Sequence, residues 1–381
     1  MKIESESLFR QHGKWYAALR WKDEGGKWRR KTKACKGKTK ALAKIELQEW
    51  RREVEAEQVA SSPQTLGQLV EEWLEVERAA GNIERSTISG YGTISRRIAS
   101  YSIANTPAAA ISHATAQAWV IELTDTGFSP ATIKKTVGVV SRVMELAVAN
   151  GELVTNPFRG LRRPKLTSPR PNSLDASGRA KVQVWIASGE LTRLRMAVTL
   201  ALHGGLRVGE VCALKWDDIE PEKRVLWVRH AIGYDNRKPY VKLPKTGHSR
   251  DVPLDDFLLD ALERWREAQR KEVAALHVEP SSYVLGTPDG YTLPDHISRG
   301  WAVISRELNL IGTEGKRVNF HGLRHTFATV AVASGVDIKT VSSILGHANA
   351  AMTLNVYASA DPDAKRAAAS VIGDALGQNL Q

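Results

Sequence analysis

The sequence predicts a mainly helical α+β chain with a small three-stranded sheet and a helix at its N-terminus, a helical module, and a mostly α C-terminal domain holding a small β-sheet. Three observations carry that prediction. Residues 7 to 35 hold three short runs rich in aromatic and β-branched residues, separated by turn signals. Residues 66 to about 156 repeat apolar side chains at helical spacing. Residues 174 to 381 return to that spacing around one β interruption. A chain of 381 residues also exceeds one ordinary core, so several domains are expected.

The elements follow in order. "SLFRQH", "WYAALRW" and "KWRRKTKAC" read as strands, with hairpin turns at "GK" and "KDEGGK". Residues 38 to 58 read as a helix in which Ala43, Ile45, Leu47 and Trp50 supply part of the apolar face. Every charge from Arg29 to Lys44 is basic, which fits a sheet small enough to lie in a DNA groove; the plainer reading is a solvated basic tract. "SSPQT", 61 to 65, reads as a linker. The helical module opens with Leu66, Leu69, Val70, Trp73 and Leu74 on one face. Its last helix starts at a Ser129 cap with Pro130 in first position and ends at Gly151. Arg96, Arg97, Lys134 and Lys135 either touch phosphate or solvate this module. "NPFRGLRRPKLTSPRPNS", 156 to 173, carries four prolines and several arginines and reads as a second linker, basic enough to lie against DNA. Beyond it, "RVLWVRH" and "YVKLPKTGHSRDVPL" read as strands, the latter turning at "PKTGHS".

Composition narrows the function. Lys and Arg number 54 against 42 Asp and Glu, a formal charge of +12, which points to a polyanionic partner. Two cysteines in unlike contexts, Cys35 and Cys212, build neither a disulfide framework nor a zinc site. The N-terminus lacks the apolar core of a signal peptide, and no stretch approaches the ~18 apolar residues of a membrane span. A cytoplasmic protein with access to DNA is expected.

Four separated pieces carry candidate chemistry. "GGLRVGEVCALKW" breaks a helix at Gly204 and Gly205 and opens the next at Arg207. Lys245 lies in the turn "LPKTGHSR". "HGLRH" sets His321 and Arg324 one helical turn apart. In "ILGHANAAMTLNVY", Gly346 ends a helix, His347 follows, and Tyr357 falls on a new short helix. The helix before Gly346 has a cap at Asp337, with Val336 and Val341 placed as a hydrophobic staple. Singly these are ordinary features: a surface arginine, a chance His-x-x-Arg, a packed tyrosine. Asp217 and Asp218 are adjacent and point apart on a helix, so no carboxylate pair for two metal ions is read and a metal nuclease is disfavoured.

Together, in this order, Arg207, Lys245, His321, Arg324, His347 and Tyr357 resemble the site of a tyrosine recombinase of the phage-integrase type. Glu210, Leu214 and Trp216 after the first arginine, and Gly322, Leu323 and Thr326 around the second, match the same pattern. "NSLDASGRAKVQVWIASG" departs from it, lacking the usual acidic opening of the catalytic domain, which leaves that domain's first boundary open. The resemblance implies an arm-type DNA-binding domain over 1–60, a helical core-binding (SAM-like) domain over 66–160 and a catalytic domain over 174–381. It implies strand cleavage and rejoining through a 3′-phosphotyrosyl intermediate, without metal or nucleotide cofactor. Tyr357 would be the nucleophile, a phenol being a tolerable leaving group when a DNA 5′-hydroxyl attacks back. Arg207 and Arg324 would clamp the non-bridging phosphate oxygens. His347 would donate to the same phosphate, His321 would act as base or orient it, and Lys245 would protonate the leaving oxygen. Glu210 would brace a neighbour. The implied partners are double-stranded DNA at core and arm sites, three further copies in a tetramer on that DNA, and possible accessory factors, a DNA-bending protein and an excision factor, in the nucleoid. The residues after Tyr357 read as an Ala-rich helix docking on the next protomer or on its own domain. A type IB topoisomerase, or a silent DNA-binding regulator with this fold, is the alternative.

Overall fold

The structure is a computed structural model that describes residues 3–22, 26–59, 64–166, 170–245, 247–287 and 290–347. The chain divides into two compact units, Met1–Thr167 and Ser168–Gln381.

The first unit opens with antiparallel strands β1 (Ile3–Gln11), β2 (Lys14–Lys22) and β3 (Trp28–Ala34), in that order. His12 and Gly13 both take positive φ, 47° and 76°, and bring Gln11 opposite Lys14 in a tight hairpin. Helix α1 (Lys40–Val59) lays Leu47, Trp50 and Val54 onto Ile3, Ala17 and Leu19, and Ala43 is buried as well. Ile45, expected on that face, is 57% exposed, because two residues of helix carry it to the opposite side of Ala43. Strand β3 is exposed along its whole length. Arg30 lies 4.9 Å over the Phe9 ring, which stacks on Tyr16.

A separate core joins α2 (Leu66–Ala80), α3 (Arg85–Ala99), α4 (His113–Asp125) and α5 (Pro130–Ala149) around Trp73, Leu74, Ile98, Trp119, Val140 and Met144. Local signals set its ends. Thr65 and Gln68 form a capping box on α2. Ser129 caps α5 ahead of Pro130, and the chain leaves that helix through Gly151 at φ 79°. Arg97 is used internally: it donates to Thr136 Oγ1 at 2.7 Å and lies 4.8 Å over Phe128. The stretch read as a linker from 156 begins inside this core. Phe158 is fully buried, Asn156 Nδ2 donates to Ser141 O at 2.9 Å, and Gln117 exchanges two hydrogen bonds with the backbone of Arg162.

The second unit is built on α7 (Arg193–His203), whose residues Met196 to Leu202 are all buried. It follows α6 (Ala176–Ala187) and leads directly into α8 (Val208–Ala213). A run apolar on every face marks a helix packed on all sides. Two small sheets come next. Strand β4 (Ile219–Glu220) pairs with β5 (Val225–Val228), β6 (Ala231–Asp235) with β7 (Lys238–Lys242), and β8 (Arg250–Pro253) returns to β5. The β6–β7 hairpin, absent from the sequence reading, turns at Asn236 and Arg237, both at positive φ. The turn holding Lys245 therefore joins strands of two different sheets and is not a hairpin between paired strands. Helix α9 (Asp256–Leu276), the short pair β9 (Gly286–Thr287) and β10 (Gly290–Tyr291), α10 (Pro294–Glu307), α11 (Phe320–Ala333) and α12 (Ile338–Leu345) complete the unit. Among the described residues no helix is long and apolar enough to cross a membrane.

Candidate active site

Helix ends bring the site together. Helix α7 stops at Gly204, and Gly205 takes φ 65°. A Cβ on Gly205 would meet Phe327 at 2.8 Å and Leu345 at 2.9 Å, so the turn requires glycine in both conformation and space. The chain then restarts with Arg207 as the residue before α8. Asn319 caps α11, which puts His321, Arg324 and His325 in its first turns. Asp337 caps α12, and Gly346 closes it at φ 61°, ψ 55°, as the sequence predicts. His347 follows, its N–H donating to Ser342 O at 3.0 Å.

One buried carboxylate links these ends. Glu210 is 2% exposed. Its oxygens accept from Arg207 N at 2.9 Å, Arg207 Nη1 at 2.7 Å, Arg250 Nη1 at 3.1 Å and Arg250 Nη2 at 2.7 Å. Arg324 Nη1 stands 3.9 Å away. Arg324, 3% exposed, donates to Gly205 O at 2.7 Å and to Leu345 O at 2.5 Å. Arg250 Nε donates to Ile344 O at 2.7 Å. Two guanidinium groups thus bind the last carbonyls of α12, where orphan acceptors and the helix dipole favour cations. Burial alone would raise the pKa of Glu210. The hydrogen bonds and charge of Arg250, then the charge and N–H of Arg207, outweigh it and lower the value to about 2.

Both histidines face this positive charge. His321 and His325 meet edge to face, ring centroids 4.6 Å apart. Lost hydration, then His325, Arg324 and Arg207, lowers the His321 pKa to about 4, although part of the residue stays open to solvent. Lost hydration, then Arg324, Arg207, His325 and Arg250, lowers His347 to about 4. Both rings are neutral at pH 7, each with one donor nitrogen and one acceptor.

Of the six residues singled out in the sequence, Arg207, His321, Arg324 and His347 converge. Lys245 is exposed in the turn after β7. Tyr357 lies outside the described residues. Two members of the cluster were missed. Arg250 was detectable by strand alternation, because Val252 and Leu254 are buried and period two turns Arg250 inward with them. His325 lies one helical turn from His321. Asp218 is engaged away from any pair, accepting from Lys215 N and Arg229 Nη1.

Replacing Glu210 by Gln would leave buried guanidinium groups without their counter-charge, and we expect a loss of about 3–5 kcal/mol in denaturant unfolding. The folded pKa, about 2, lies below the ordinary 4.5. The carboxylate's contribution is therefore complete above pH 4.5 and is lost as pH falls toward 2. The Gln variant should show a weaker acid-dependent loss over that window; an unchanged unfolding midpoint would contradict the network's role.

Residues 185–363 match the model of the phage integrase family. A tyrosine recombinase XerC-like protein of Caldanaerobacter subterraneus subsp. tengcongensis is 29% identical, covering 93% of this chain and 94% of its own. The ICEBs1 integrase of Bacillus subtilis is 27% identical, covering 67% of this chain and 68% of its own. In fold, the chain is similar to the Tn1549 transposon integrase solved with a circular intermediate DNA, with TM-score 0.69, 22% identity, and coverage of 81% of this chain and 99% of that one. It is also similar to a lambda integrase tetramer bound to a Holliday junction, with TM-score 0.61, 21% identity, and coverage of 91% and 94%. Residues 185–363 thus carry a phage integrase family domain.

Proposed function

We propose that the protein is a site-specific DNA recombinase that cleaves and rejoins DNA strands through a 3′-phosphotyrosyl intermediate, integrating a mobile element and also excising it. The observation that carries this reading is the convergence of Arg207, Arg324, His321 and His347 from separate helix ends onto the Glu210 frame. A rigid cluster of cationic forks and neutral imidazoles fits a phosphodiester whose non-bridging oxygens gain charge in the transition state. Tyr357 attacks phosphorus; its oxygen forms the new ester bond while the 5′-oxygen leaves. Phenol has a pKa of about 10, so it must lose its proton during attack, and His321, neutral at pH 7, takes it. His347 donates to the phosphate, and Lys245 protonates the 5′-oxygen.

The partner is double-stranded DNA. The exposed, basic β3 face supports contact of residues 1–60 with arm sites, while 66–160 and 174–381 hold the core site. The tetrameric lambda relative, bound to a Holliday junction, supports assembly of four copies. A DNA-bending protein and an excision factor are candidate further partners, and the nucleoid is the proposed location.

Tyr357→Phe should abolish covalent protein–DNA adducts on denaturing gels while leaving site binding intact. Adducts formed by the Phe variant would rule out this nucleophile, and an absence of adducts from the unaltered protein would favour a silent DNA-binding regulator. Lys245→Ala should slow cleavage roughly 10²–10⁴-fold. A substrate with sulfur at the 5′-bridging position expels a stable thiolate, so it should restore the Ala variant nearly to the unmodified rate. Arg324→Ala should stay slow on the same substrate. Rescue of Lys242→Ala instead would move the proton donor to Lys242.

A further inference from the structure

We infer that Arg250 is a positioning residue for strand cleavage, holding the chain that leaves α12 toward His347 in register with the Arg207–Arg324 pair. The inference rests on the reading of the protein as a strand-cleaving recombinase. Arg250 is 9% exposed and spends one fork on Glu210, with contacts of 3.1 and 2.7 Å, while its Nε holds Ile344 O at 2.7 Å. The same carboxylate holds Arg207 by side chain and backbone. One planar group therefore ties the carboxylate that holds Arg207 to the C-terminus of α12. It also shapes the exit from α12. A Cβ on Gly346 would lie 2.7 Å from Arg250 Cδ, 3.1 Å from Nε and 3.2 Å from Nη1, so the chain passes directly over the guanidinium before reaching His347.

Stability alone does not account for such a group. Buried ion pairs commonly add little net stability compared with apolar side chains of similar volume. What an apolar side chain cannot supply is the simultaneous fix on a carboxylate and a helix-terminal carbonyl. Lysine cannot supply it either, having a point charge and no planar fork. Arg250 also begins β8, the strand reached by the turn that carries Lys245, so that turn ends on the same frame. The charged or titratable groups that act on His347 include Arg324 and His325 from α11, Arg207 just before α8, and Arg250 from β8.

The test uses the full-length protein, with Arg250→Met and Arg250→Lys, on a duplex selected from a randomised pool by binding of the unaltered protein. Thermal unfolding and Kd are measured first, and single-turnover adduct formation is then counted per bound complex. Displacing reacting groups by about 1 Å costs on the order of 10² in rate, so both variants should bind normally and cleave roughly 10²-fold more slowly. Sulfur at the 5′-bridging position should rescue neither, because the defect lies in alignment and not in proton delivery. In ¹⁵N spectra the His347 ring should titrate at higher pH in Arg250→Met, which lacks the nearby positive charge, and close to the unaltered protein in Arg250→Lys. The inference is overturned by full cleavage per bound complex in either variant, by a rate loss that tracks the unfolded fraction, by sulfur rescue, or by an unmoved His347 titration in Arg250→Met. If the unaltered protein itself forms no adduct on this duplex, the recombinase reading fails, a result distinct from failure of the Arg250 inference alone.

Discussion

The arrangement depends on one buried anion. Glu210 sits at the first turn of α8 with no exposed surface to speak of, and its two oxygens are shared between Arg207 and Arg250 with Arg324 at their edge. Removing a carboxylate from water is costly unless charge and hydrogen bonds replace the lost hydration. Here they do, and the carboxyl pKa falls well below its usual range although burial pushes the other way. Every other feature of the site follows from that neutralisation. Three guanidinium groups can stand close together only because a carboxylate lies among them, and Arg250 and Arg324 reach the last turn of α12 from that position.

The balance of charge is deliberately incomplete in physical terms: three cations gather around one anion. Lost hydration first, and then this positive charge, from Arg324 and Arg207 at both rings and from Arg250 at His347, lowers His321 and His347 to about 4. A phosphodiester entering the cluster supplies the missing negative charge. It would raise both histidine pKa values toward the ordinary range and strengthen each hydrogen bond made to it. The positions of Arg207, Arg324, His321 and His347 are thus set by the protein's own contacts, which leaves these four little reorganisation on meeting a phosphate.

Local chemistry made much of this legible in the sequence. The Ser129–Pro130 start, the Asp337 cap and the Gly346 stop depend on a few neighbouring residues, and each stands where its pattern placed it. Gly205 needed only its neighbours to be read as a helix break. What stayed hidden depends on partners distant in the chain. Nothing near Arg250 indicates that Glu210 and Ile344 O receive its donors. The β6–β7 hairpin turns at Asn236 and Arg237, and arginine is a poor marker for a left-handed turn position. Ile45 was misplaced because an apolar residue within a helix was credited to the core without checking its angular position. The linker from 156 was read from its prolines, while Phe158, the residue that anchors its start, looked like part of a basic tract.

The central claim is that Glu210 stays ionised deep in the protein because arginines surround it. Following its ¹³C carboxyl resonance in the folded protein from pH 7 downward tests this directly. The account predicts a shift of a charged carboxylate that holds through pH 4.5 and changes only near pH 2, where the fold itself fails. A midpoint at or above 4.5 in the folded protein would mean that burial prevails over the arginines, and the frame proposed for the site would not stand.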